Sequence, residues 1–193
     1  MPKIVDHEAH RCELLRASFK VAARVGYGPL SMKQLAQSLN ISTGSIYHYF
    51  ENKEDWFVSL ISYYSTEIFE SLSREIPRDA SRSEKLRLLL AHMERRKETY
   101  GDMINVASDF VRIPKTDEQH GALELGLASE RLSEYFAELF ETDELTSRAL
   151  VSYLLGVIVA NRLDPRGTNA NEHLLFVRAL LESRSSECQG TPG

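Results

Sequence analysis

Apolar residues recur at intervals of three and four along most of the chain, and no stretch alternates as a half-buried strand does. The pattern predicts an all-α protein of about nine helices. The first spans about Glu8 to Val25, with Cys12, Leu15, Phe19 and Ala22 on one stripe and Gly26 as its left-handed stop. The second starts at Ser31, whose partner three residues on, Gln34, makes a capping box; Met32, Leu35, Ala36 and Leu39 form its inner face. Asn40, which tolerates a left-handed turn, ends it. Ser42 caps a short third helix to about Tyr49, with Ile41, Ile46 and Phe50 directed inward.

A long fourth helix follows from Asn52 to Glu75 and breaks at Ile76-Pro77-Arg78-Asp79. Further helices are expected at Ser83 to Tyr100, Asp102 to Ile113, Asp117 to Phe140, Glu144 to Leu163 and Asn171 to Ser183. Gly101, Pro114, Thr142 and the turn-rich Asp164 to Asn169 punctuate them. The expected division is a three-helix module over 1–53, a larger helical body over 54–184 and a disordered polar tail over 185–193.

Charge sharpens this division. Residues 1–53 hold seven Lys or Arg against four Asp or Glu, a net +3, whereas the other 140 residues carry a net −8. A basic head on an acidic body suits a module that faces phosphates, attached to one that avoids them. No apolar run reaches the roughly 18 residues of a membrane span, and the polar start is unlike a signal peptide, so the expectation is a cytoplasmic protein with no membrane partner. Cys12 and Cys188 lie far apart without metal-ligand spacing and are expected to be reduced thiols. His7-Glu8-Ala9-His10 has the spacing to seat a metal on one helical turn, but paired solvated histidines near a terminus are far commoner. No metal, cofactor or catalytic residue is assigned, and no phosphate loop, dinucleotide glycine motif or nucleophile elbow is present.

The stretch from Gly26 to Glu54 carries the functional signal. A short helix, a tight turn and a second short helix follow the helix-turn-helix plan, in which the second helix enters the major groove. With the inward residues subtracted, the third helix presents Thr43, Gly44, Ser45, Tyr47, His48 and Tyr49, groups suited to phosphates, base edges and thymine methyls. Gly44 lets the backbone approach the duplex closely. Lys33 and Lys53 supply charge on the flanks, Lys53 at a helix N-terminus that also favours a phosphate.

Gly26-Tyr27, Ser31, Leu35-Ala36, Ile41-Ser42, Gly44-Ser45-Ile46-Tyr47, Phe50 and Lys53-Glu54 resemble, in order and spacing, the DNA-binding signature of the tetracycline-repressor (TetR) family. The resemblance covers about 47 residues, Glu8 to Glu54; beyond them the chain is similar to the family in helical plan and length. It implies that Tyr47 and Lys53 grip phosphates while Lys33, Thr43, Gly44, Ser45, His48 and Tyr49 lie on or beside the bases. Two positions depart from the family: Leu30 replaces a frequent Thr, which costs a backbone contact, and Asn40 replaces a usual Gly, which still makes the turn.

The resemblance also implies a ligand cavity among the fourth to seventh helices. Trp56, Tyr63, His92, Arg96, Met103, Asn105, Phe110 and Asn161 are candidates to line it for a largely apolar effector. The segment Leu150 to Ala160 is apolar almost all round and the last helix is broadly so. By resemblance these two helices pair with a second copy through Leu150, Tyr153, Leu154, Val157, Leu174, Val177, Leu180 and Leu181. The expected function is a non-enzymatic, homodimeric repressor that binds a palindromic operator in double-stranded DNA and is released by a small molecule. A helical small-molecule-binding protein or enzyme with a vestigial or protein-binding helix-turn-helix, and an activator, stay open as alternatives.

Overall fold

A computed structural model describes residues 7–113, 120–164 and 170–182. Among them are nine helices and no strand: α1 (His7–Val25), α2 (Met32–Ser38), α3 (Thr43–Tyr49), α4 (Lys53–Glu75), α5 (Arg82–Arg95), α6 (Lys97–Arg112), α7 (His120–Phe140), α8 (Glu144–Leu163) and α9 (Ala170–Glu182). The fold is all-α with an N-terminal helix-turn-helix, as the periodicity requires. Pro114, the expected tail over 185–193 and Cys188 lie outside the described residues; Cys12 is a free, half-buried thiol.

Local signals set the first helix ends. Gly26 stops α1 at φ 87°, and its N–H bonds the Ala22 carbonyl at 2.8 Å. Polar side chains accept from exposed amides at the starts of later helices: Ser81 from Glu84 N in α5 and Asp143 from Thr146 N in α8.

One expected boundary is wrong. The sequence suggests a helix to Tyr100 stopped by Gly101, but the break falls at Arg96, whose N–H bonds the His92 and Met93 carbonyls, and α6 runs straight through Gly101. Gly101 answers a tertiary need instead. The Arg162 guanidinium lies where a Cβ would stand, donating to the Glu98 carbonyl at 3.2 Å and pairing with the Glu98 carboxylate at 3.4 Å.

The contacts divide the chain into two compact units. One comprises the chain to Glu67 together with Asp102–Ala128; the other comprises Ile68–Gly101 together with the chain from Ser129. The first is built on Leu15, Phe19, Ala22, Leu35, Ile46, Phe50, Trp56, Phe57, Val106 and Phe110. Its aromatic centre is close-packed: Phe57 stacks on Phe110 at 4.1 Å, and Tyr27 meets both rings edge-on at 5.1 Å. The second unit packs Leu72, Ile76, Leu86, Leu89, Phe136, Phe140, Leu150, Val151, Leu154, Val177 and Leu181. There Arg82 donates to the Phe140 carbonyl at 2.7 Å and the Leu181 carbonyl at 3.3 Å, satisfying the ends of α7 and α9.

Trp56 is fully buried, and its indole N–H needs a partner inside the core. Ser18, buried on α1, accepts that bond at 2.9 Å and donates its own hydroxyl proton to the Leu15 carbonyl at 3.0 Å. Ser18→Ala therefore strands a buried donor and is expected to destabilise the first unit by about 1–3 kcal/mol. Because Trp56 is the chain's single tryptophan, its fluorescence during urea unfolding reads that unit directly; an unchanged midpoint would remove the bond from the stability account.

Candidate nucleic-acid interface

The two short helices of the first unit have too few residues to hold together alone, so their ends are tied chemically. Ser31 accepts from Gln34 N at 3.2 Å while Gln34 accepts from Ser31 N at 2.9 Å, completing the capping box of α2. The turn between α2 and α3 is a Schellman motif. Asn40, at φ 55°, donates its N–H to the Gln37 carbonyl at 3.1 Å, and Ile41 N–H reaches back to the Ala36 carbonyl at 3.0 Å. Asn does here what the family's usual Gly does. Ser42 then caps α3, accepting from Ser45 N at 3.0 Å. Leu30, at the other departure from the family, is buried in the core.

Ile46 is fully buried and Phe50 nearly so, which turns the opposite side of α3 outward. Thr43, Gly44, Ser45, Tyr47 and His48 are exposed together on it, Lys33 is exposed on α2, and Tyr49 is half-buried against the core. Gly44 is the informative member. Its φ is not positive, and a Cβ built there would meet only the Ser42 hydroxyl, at 3.7 Å. Nothing among the described residues requires a glycine at this point, although glycine weakens a helix by about 0.5–1 kcal/mol relative to alanine.

Lys53 is not free on the surface. Its ammonium donates to the Gly28 carbonyl at 3.0 Å and sits 4.1 Å above the Tyr27 ring, and burial lowers its pKa while Asp109 opposes that shift. The Gly28 N–H is held in turn by Asp109 of α6, at 2.9 Å. A side chain at Gly26 would stand 2.7 Å from that carboxylate, so the glycine there admits it. Asn52 caps α4 by accepting from Asp55 N at 2.9 Å. The Asp109 contact was missed from sequence because it joins residues 81 apart and neither carries a local signal.

The residues expected to line an effector site have varied surroundings. In the first unit Trp56 and Phe110 belong to the aromatic core, Tyr63 receives a hydrogen bond from Arg16, Met103 is partly buried against the same core and Asn105 is exposed. In the second unit Arg96 caps α5 and Asn161 is half-buried on α8. His92 is fully buried there, with Nδ1 2.9 Å from the Glu75 carboxylate and Nε2 2.7 Å from the Tyr100 hydroxyl. Burial lowers the His92 pKa against the pull of Glu75, and the bond from His92 draws Glu75 down to about 2. Arg95 also bonds Glu75, so the sequence found one member of a polar cluster and missed Glu75, Arg95 and Tyr100.

Among the residues expected to meet a second copy, Leu150, Leu154, Val177 and Leu181 are buried in their own chain's core. Tyr153, Val157 and Leu174 are half-buried, and the Leu180 side chain lies outside the described residues. Tyr153 bonds His173 Nδ1 at 2.6 Å and stacks on Phe176 at 4.4 Å. The large apolar side chains left outward are Leu145, Leu155, Val159 and Leu163 on α8, with Leu163 82% exposed, and Leu175 and Phe176 on α9. A helix apolar almost all round does not reveal from sequence which stripe its own core takes.

Among the described residues no helix is long and apolar enough to cross a membrane, and no group of three or more metal-ligating side chains occurs. Two short helices joined by a tight turn, with the second exposed along one side, form a helix-turn-helix module. Residues 14–60 match the family described as bacterial regulatory proteins, tetR family. The fatty acid metabolism regulator protein of Bacillus subtilis (strain 168) is 30% identical over 79 residues, 41% of each chain, so this chain spans under half of that relative. The HTH-type transcriptional regulator BetI of Vibrio parahaemolyticus serotype O3:K6 is 26% identical over 204 residues, 95% of this chain and 96% of its own. The crystal structure of the transcriptional regulator FadR from Bacillus subtilis in complex with stearoyl-CoA superposes with a TM-score of 0.65 at 19% identity, covering 88% of this chain and 95% of that one. Residues 14–60 thus carry the tetR-family DNA-binding module, and the chain as a whole shares the fold of solved TetR/AcrR-family structures.

Gly44→Ala separates the fold's needs from those of DNA. The variant should be as stable as the parent or more so, by up to about 1 kcal/mol, and if α3 enters the major groove with Gly44 against the duplex, the added methyl should weaken DNA binding at least about tenfold. Equal DNA affinity in the two proteins, measured by fluorescence anisotropy, would show that no close approach occurs at Gly44.

Proposed function

We propose that the protein is a homodimeric, cytoplasmic, non-enzymatic repressor that reads a near-palindromic operator with two copies of α3 and leaves it when a largely apolar small molecule binds the helical body. The observation that carries the reading is the exposed side of α3, with its hydroxyls, imidazole and open Gly44. In this reading Thr43, Gly44, Ser45, His48, Tyr49 and Lys33 lie on or beside the bases, and Tyr47 and Lys53 hold phosphates. The Lys53 ammonium has three donors, of which the Gly28 carbonyl takes one, so phosphate contact does not require that bond to break. One short helix reads only a few base pairs, which is why a symmetric partner about one duplex turn away is needed.

The outward stripe of Leu155, Val159, Leu163, Leu175 and Phe176 supports the dimer, since a monomer rarely leaves so much apolar surface on adjoining helices in water. A B. subtilis neighbour of the same fold was crystallised with stearoyl-CoA, which supports an apolar effector here. The effector needs only to prefer the released form, and a coupling of about 1–3 kcal/mol suffices. Linkage then obliges operator DNA to weaken effector binding by the same factor.

Selection from a pool of random double-stranded DNA tests the reading, which requires a two-fold symmetric sequence to be enriched; recovery of no sequence preference would end it. On the selected operator, Lys53→Ala should lower affinity for all sequences alike and reduce the slope of log affinity against log salt by about 0.9, the contribution of one phosphate. An unaltered slope would remove Lys53 from the phosphate contacts.

The dimer has its own test in light scattering. Val159→Glu and Leu175→Glu place charges on the outward stripe without entering the core, and each should halve the particle mass while leaving the circular dichroism spectrum intact. Folded variants that keep the parent's mass would place the interface elsewhere.

A further inference from the structure

The histidine motif at the start of α1 lies against the recognition helix. His7 stacks on Tyr49 with ring centroids 4.5 Å apart and 29° between planes, and it meets His48 edge-on at 5.2 Å. His10, one turn further along, tilts over the same Tyr49 ring at 5.4 Å, and His48 and Tyr49 are edge-to-face at 5.2 Å. Four rings from two helices thus form one surface cluster, half of it on α3.

We propose that His7 and His10 are positioning residues for DNA recognition, bracing the rings of His48 and Tyr49 so that the first turns of α1 help to set the operator sequence. The inference rests on the reading of α3 as the element that meets the bases. The need for a brace follows from the length of α3. It has seven residues, and its last three, Tyr47, His48 and Tyr49, have only the small Thr43, Gly44 and Ser45 one turn behind them, which offer a ring little to pack against. An exposed ring there rotates freely unless another element confines it, and pre-ordering one such side chain is worth about two- to tenfold in binding.

The brace is itself anchored. Arg11, between His10 and Cys12, donates to the Ser59 hydroxyl of α4 at 2.6 Å and lies 5.4 Å over the buried Phe50 ring that closes α3. The start of α1 is thereby fixed to the same core that fixes α3. His7 and His48 are exposed, so their contact adds little to stability and its consequence falls on what His48 and Tyr49 touch.

The test compares full-length His7→Ala, His7→Phe, His48→Ala and the His7→Ala/His48→Ala double variant, each checked by thermal melting. Their binding is measured to the operator selected from random duplex DNA and to single-base-pair variants of it. His48→Ala should relax preference at particular base pairs. His7→Ala should relax preference at those same base pairs by about two- to tenfold, His7→Phe should restore it by keeping the stacked ring, and the double variant should be no worse than His48→Ala alone. Unchanged preference in His7→Ala, when His48→Ala has altered it, would overturn the brace while leaving the α3 reading intact. A loss that is equal for all sequences and not rescued by His7→Phe would also overturn it, since that result marks a phosphate contact. Unchanged preference in His48→Ala would remove the α3 reading and the brace with it.

Discussion

The burial of Trp56 in the first turn of α4, with its N–H given to Ser18 of α1, is the interaction on which the exposed surface of α3 depends. It joins α1 to α4 through a bond that water does not reach. Tyr27 stacks beside it at 6.3 Å and in turn meets Phe57 and Phe110, and Ile46 and Phe50 of α3 share the same core. A two-turn helix has no stability of its own to hold an orientation, so α3 takes its orientation from these buried rings. The outward set from Thr43 to His48 is therefore a consequence of what α3 buries.

The same core explains why Lys53 is held rather than loose. It stands three residues before Trp56, so locking the first turn of α4 brings its ammonium to the Gly28 carbonyl and the Tyr27 face. Asp109 completes a chain in which α6 holds the N–H of Gly28 and α4 holds its carbonyl. At the next position Glu54 accepts the Gly121 N–H of α7 at 3.1 Å. Within the first unit, then, the carboxylates of Asp109 and Glu54 link α6 and α7 to residues beside the proposed phosphate contacts.

The second unit divides its apolar residues between two uses. Leu150, Leu154, Val177 and Leu181 fill its own core, and Leu155, Val159, Leu163, Leu175 and Phe176 face outward. His92, fully buried in this unit, is satisfied on both ring nitrogens by Glu75 and Tyr100, as a buried imidazole must be to avoid a desolvation penalty.

By itself the sequence determined what one or two helical turns decide: the Ser31–Gln34 capping box, the Gly26 stop, the left-handed Asn40, the Ser42 cap, and the inward Ile46 and Phe50 against an outward Thr43 to His48. Those signals are backbone conformations and hydrogen bonds between residues no more than five apart, so composition and spacing carry them. Tertiary structure alone decided that α5 ends at Arg96, that Gly101 makes room for Arg162, that Trp56 is core, that Lys53 rests on Gly28 beside Asp109, and which stripe of α8 faces outward. It also decided that a histidine pair with the spacing of a metal site stands against α3. Apart from the end of α5, each of these rests on partners 25 to 81 residues away in the chain or on how a helix is turned within its core, and nothing in a helix's own periodicity specifies which neighbour will occupy its face.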